Sequence, residues 1–84
     1  MRVDAENVVV TTVKRSDYSN GFIIRLFDAE GVPNPEVKIR FAVPPKSVKK
    51  VNLLEDPIED VEQTAGTIRF PLRKWEIATL LAEY

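Results

Sequence analysis

The sequence predicts a small all-β domain, an antiparallel β-sandwich of immunoglobulin-like type with about six to seven strands. Three observations carry that expectation. Turn-forming clusters recur at short intervals: "SDYSNG" at 16–21, "DAEGVPNP" at 28–35, "PPK" at 44–46, "EDP" at 55–57 and "TAG" at 64–66. The runs between them hold about six to nine residues, the length of a strand rather than a helix. Within several runs apolar and polar residues alternate with period two, as in a strand with one wet face. A chain of 84 residues, 44% hydrophobic and 30% charged, is large enough for a single ordered domain over 1–84 with one modest core.

In chain order, "NVVVTTV" at 7–13 is β-branched almost throughout, and "GFIIRLFD" at 21–28 is apolar on both parities except at Arg25. Both are expected to be central or well covered. In "VKIRFAV" at 37–43, Val37, Ile39, Phe41 and Val43 share one parity against Lys38 and Arg40. "SVKKVNLL" at 47–54 changes phase between Val48 and Val51, which fits either a β-bulge or a turn. In "TIRFPL" at 67–72, Ile68, Phe70 and Leu72 alternate with Thr67, Arg69 and Pro71. Proline cannot donate to a ladder, so this strand is at an edge at Pro71 or leaves the sheet there.

The closing segment "LRKWEIATLLAEY" at 72–84 is the most apolar. A helix over 74–83 is the competing reading, because Ala, Leu and Glu favour it. No capping residue opens such a helix, whereas Trp75, Ile77, Thr79 and Leu81 alternate as in a strand. That alternation directs Trp75, Ile77 and Leu81 inward. The opposite parity, Ala78, Leu80 and Ala82, is also apolar, so Leu80 is expected to be exposed on a face that meets another domain.

Chemistry is harder to find. The chain has no histidine and no cysteine, which removes the commonest general base, the thiolate nucleophile and the usual zinc ligands. Twelve basic against thirteen acidic residues give a net charge of −1, with no long-range field to steer the chain to nucleic acid or a membrane surface. The absence of cysteine and of a leader-like run in "MRVDAENVVVTT" fits a cytoplasmic setting.

In "EDPIEDVE", Glu55, Asp56, Glu59, Asp60 and Glu62 lack the ligand spacing of a calcium loop, and a solvated turn leading into an edge strand accounts for them. Lys46, Lys49 and Lys50, with Lys38 and Arg40, would make a basic patch on adjacent strands. Lysines that protect a sheet edge explain the same residues without nucleic acid. The serines at 16, 19 and 47 have no activating base, and the glycines at 21, 31 and 66 all fall in turns. Trp75 and Tyr18 remain as aromatic candidates for contact with a sugar or a neighbouring domain, together with Leu80 as a domain contact. No catalytic residue, cofactor-binding residue or metal ligand is nominated.

The ordered segments "ENVVVTTVKRSD", "GFIIRLFD", "VKKVNLLEDPIEDV" and "GTIRFPLRKWEIATLLAEY" resemble the extreme C-terminal β-domain of the α-mannosidases of glycoside hydrolase family 38, over roughly residues 5–82. That region carries an "ENV-hydrophobic" strand, a "G-hydrophobic-R" strand, a "LLE-x-P" segment and a "P-x-EI-x-T" strand. This chain departs from the pattern at Trp75, where Phe is usual, and at Lys74, where Pro is usual. The resemblance implies a fragment of a large enzyme that releases α-linked mannose, with zinc and the carboxylate nucleophile in a separate N-terminal domain. It also implies a structural role, packing against the other domains, with a carbohydrate-binding module or a free-standing interaction domain as alternatives.

Overall fold

The computed structural model describes residues 1–17, 20–52, 54 and 56–84. Nine strands form among the described residues: β1 Arg2–Asp4, β2 Val8–Arg15, β3 Gly21–Asp28, β4 Asn34–Arg40, β5 Ser47–Val51, β6 Pro57–Val61, β7 Gln63–Thr64, β8 Thr67–Leu72 and β9 Ile77–Glu83. They make two antiparallel sheets, ordered β1-β4-β8-β7 and β2-β3-β9-β5-β6. The excess over six or seven strands is β1 and β7, of 3 and 2 residues, too short to show a period.

The two sheets enclose one core. Val37, Ile39, Ile68, Phe70 and Leu72 come from the four-stranded sheet, and Val8, Ile24, Leu26, Val48, Ala78, Leu80 and Ala82 from the five-stranded one. The alternations at 37–41 and 67–72 therefore point as expected. Val43 lies beyond the end of β4 and is exposed. The "TAG" turn closes β7 onto β8 with Ala65 at φ 52° and Gly66 at φ 82°, as a two-residue hairpin of positive φ requires. Pro71 follows the part of β8 that β7 pairs, so it occupies a local edge. On its other side the β4 register shifts between Asn34 and Val37. The phase change in 47–54 is neither a bulge nor a turn within β5, whose pairing with β9 runs unbroken: Val48 faces the main core and Val51 the opposite side of the sheet, and the extra residue at the β5–β6 register shift is Ile58, on β6.

Three expectations are corrected. The β-branched strand β2 is an edge, not a central strand. β-Branched density records a fit to the pleated surface and does not report cover on both sides. Its ladder is interrupted between Val10 and Thr12, where the Thr11 hydroxyl donates to the Arg25 carbonyl.

The closing segment forms β9, the middle strand of the larger sheet, but its parity is inverted. Leu80 is 0% exposed, with Ala78 and Ala82 beside it in the core, whereas Ile77 is 66% and Trp75 60% exposed. Leu81 is buried, yet on the other side of the sheet, in a small cluster with Ile23 and Val51. A central strand is apolar on both faces, so alternation alone could not choose between them.

The basic residues are also redistributed. Lys38 and Arg40 lie on β4, while Lys49 and Lys50 lie on β5 in the other sheet, and Lys46 precedes it. β5 is flanked by β9 and β6, and β4 by β1 and β8, so neither set guards an edge.

Replacing Leu80 by Ala is expected to destabilise the domain by about 2–5 kcal/mol, the range for a large-to-small change in a packed core. Ile77→Ala should stay within about 0.5 kcal/mol. Urea denaturation of the two variants checks the assignment of faces, and a costly Ile77→Ala with a silent Leu80→Ala would reverse it.

Candidate functional site

At one end of the sandwich a buried carboxylate organises three chain segments. Asp28, at the end of β3, is fully buried. Its Oδ1 accepts from Asn7 Nδ2 at 2.8 Å and from the Glu30 amide at 3.1 Å, and its Oδ2 accepts from the Trp75 amide at 2.9 Å. Asn7 Nδ2 also reaches the Val32 carbonyl at 3.0 Å, and Asn34 Nδ2 donates to Asn7 Oδ1 at 2.8 Å. The entry to β2, the 28–34 connection and the turn before β9 thus share one polar network. A buried polar network holds a fold when its members are satisfied, as these are.

The network holds Trp75 in an unusual position. Its φ is 61°, a left-handed conformation that a bulky residue adopts only at a cost in strain. The indole lies against Gly31, itself at φ 71°, where a Cβ would come within 2.5 Å of the ring Cζ2. Gly31 is therefore required both by its backbone angle and by the ring above it. The result is an exposed, fixed aromatic. Next to it Glu76 closes the turn, accepting from the Arg73 amide at 2.8 Å with Oε1 and from Lys50 Nζ at 2.7 Å with Oε2.

Beyond this end, the outer face of the five-stranded sheet carries an apolar row. Val9, Phe27 and Ile77 stand in register across β2, β3 and β9, with Val9 and Ile77 exposed. Arg25 and Thr79 occupy the next row of the same face, and the Arg25 Nε is buried with no hydrogen-bond partner among the described residues. The opposite end of the sandwich is open. Met1, Val13, Phe22, Phe41, Val43 and Tyr84 border an apolar hollow of about 290 Å³. Tyr84 is docked there, edge-on to Phe22 with ring centroids 6.1 Å apart and its hydroxyl donating to the Val43 carbonyl at 2.8 Å.

Of the contact residues expected from sequence, Trp75 is at the surface. Leu80 is in the core, which withdraws it as a domain contact. Tyr18 lies outside the described residues. The polar residues that sequence reasoning missed are Asn7, Asp28 and Glu76. Their signal was present in "ENV", in "FDAEG" and in "WEI", but their partners are distant in the chain. Of the acidic run, Glu59 and Asp60 lie on the edge strand β6, exposed and opposite Lys50 and Lys49, and Glu55 lies outside the described residues. Among the described residues no three His, Cys, Asp or Glu side chains converge to hold a metal ion.

Burial alone would raise the Asp28 pKa. The hydrogen bonds from the Trp75 amide, the Asn7 side chain and the Glu30 and Gly31 amides outweigh it and hold the carboxyl below its ordinary value. Glu76 behaves alike: burial pushes it up, but Lys50 and the Arg73 amide bring it down. A carboxyl whose folded pKa is depressed contributes stability above its unfolded pKa of about 4, and that contribution is lost as pH falls through the lower folded value. The Asp28→Asn variant should therefore melt below the parent near neutral pH and converge on it as pH falls through the depressed folded value of Asp28. Thermal midpoints across that range check this, and parallel curves would show that the Asp28 charge carries no stability.

The sequence comparisons agree with the fold. The model of the glycosyl hydrolases family 38 C-terminal beta sandwich domain matches residues 7–80. No curated protein and no solved structure matches significantly. The matched span runs from Asn7 of the polar network to Leu80 of the core and takes in β2 to β8 and the first four residues of β9. The chain belongs to the family of glycosyl hydrolase family 38 C-terminal β-sandwich domains.

Proposed function

We propose that this chain is a non-catalytic structural domain of an α-mannosidase and that it packs against the enzyme's other domains. The family match over residues 7–80 carries this reading. The zinc and the carboxylate nucleophile then belong to a separate catalytic domain, in keeping with a chain that lacks histidine and cysteine. The surface that supports packing is not Leu80 but the Val9–Phe27–Ile77 row, an apolar strip on the outer face of the five-stranded sheet. The unpartnered Arg25 beside it suits such a face, because arginine next to apolar anchors is enriched where domains meet. An assay of the chain against an α-mannoside, with zinc added, should give no turnover above the uncatalysed rate. Genuine turnover would overturn the reading.

The presentation of Trp75 favours a second reading, a carbohydrate-binding module. Its indole is backed by Gly31, its backbone amide is held by Asp28 and the residue is exposed, the arrangement of a flat stacking platform. Titration with mannose and mannan, followed by the fluorescence of the single tryptophan, separates the two. A saturable change would establish sugar binding, and an unchanged spectrum at millimolar sugar leaves the structural role alone.

A further inference from the structure

Two arginines face each other on the four-stranded sheet, and neither is in an ion pair among the described residues. Arg2 on β1 is in register with Arg40 on β4, and Arg40 with Thr67 on β8, so the three make one row. The adjacent row of the same face is Asp4, Lys38 and Arg69. These side chains stand opposite the parity of Ile39 and Ile68, which are buried, and so face outward. Arg2, Asp4, Lys38, Arg40 and Thr67 line a shallow hollow of about 190 Å³. Three cations against one carboxylate leave it with an excess of positive charge.

The other basic groups nearby are compensated. Lys38 and Arg69 share Glu36 at 3.7 Å each, while among the described residues neither Arg2 nor Arg40 takes part in an ion pair. Like charges directly opposite in a sheet repel. Such a pair is stabilised when an anion bridges it, and the planar guanidinium fork matches the oxygens of a carboxylate or phosphate two at a time. The Thr67 hydroxyl adds a neutral donor on the third strand.

We propose that this hollow is an oxyanion site, in which Arg2 and Arg40 grip the anion and Lys38 and Thr67 complete its wall. The proposal rests on the hollow and its charges and does not depend on the mannosidase reading. Sodium phosphate, sodium acetate and sodium chloride are titrated separately into the whole chain at matched ionic strength, followed by heteronuclear NMR. Saturable shifts at the amides of Lys38, Ile39, Arg40 and Thr67 are expected with phosphate or acetate and not with chloride, and the tighter of the two identifies the class of anion.

Arg40→Gln should abolish the saturable response, and Arg2→Gln should weaken it by about tenfold, the loss of one charge-assisted contact. Lys49→Gln, on the other sheet, should leave it intact. As a second readout, the bound anion should raise the melting midpoint of the parent and not that of Arg40→Gln. Responses no different from chloride, or a saturable response unchanged in Arg40→Gln, would overturn the site. In the first case only a diffuse ion atmosphere surrounds the arginines.

Discussion

The fold depends on where its last strand goes. β9 runs between β3 and β5, pairing Ile77–Glu83 with Gly21–Phe27 on one side and Thr79–Glu83 with Ser47–Val51 on the other. Without it the five-stranded sheet separates into two hairpins, β2–β3 and β5–β6, and isolated hairpins are at best marginally stable in water. The same strand places Ala78, Leu80 and Ala82 on the core face, a small-large-small series with Leu80 opposite Ile24. A slip of one residue would carry Leu80 out of the core, so register and packing are enforced together. Because the partners on β3 are 50 to 62 residues earlier, this pairing closes a long loop and should form late in folding.

That placement also explains which parts of the fold were legible in the sequence. Ile39 and Ile68 could be oriented from their neighbours because Lys38, Arg40 and Arg69 mark the wet face. On β9 the markers are weaker: Thr79 and Glu83 share the outer parity, but Ile77 and Leu81 stand with them, Leu81 in the satellite cluster, while Leu80 lies in the main core, so both parities hold large apolar residues. Counting the alternation from Trp75 compounded the difficulty, because Trp75 precedes the strand in a turn of positive φ and takes no part in the pleat. Turn chemistry, by contrast, depends on local residues and could be read directly: "TAG" is a hairpin because its central pair adopts positive φ.

The polar network shows the complementary difficulty. Asn7 and Asp28 are 21 residues apart, and Asp28 and Trp75 are 47 apart. In the sequence Asp28 is one more turn-forming residue, and nothing local distinguishes it from exposed Asp56. Its role follows only when the end of β3, the start of β2 and the turn before β9 meet. Once they meet, the carboxylate is costly to bury without partners and becomes a strict requirement on all three segments. The left-handed Trp75 and the bare Gly31 beneath it are consequences of that requirement.

Electrostatics requires the same shift from chain order to sheet order. A net charge of −1 excludes long-range steering, but fields within a Debye length of about 8–10 Å are set by which strands are neighbours. Lys49 and Lys50, adjacent in sequence, point to opposite sides of β5, and each finds a carboxylate, Glu83 at 3.7 Å and Glu76 at 2.7 Å. Arg2 and Arg40, 38 residues apart in the chain, are brought side by side, and among the described residues neither is in an ion pair. The acidic residues that balance them in the composition include Glu59 and Asp60, which lie on the edge of the other sheet opposite lysines of β5. Near-neutrality is thus a sum over separated surfaces, and the local excess at Arg2 and Arg40 is a property of the fold that the composition averages away.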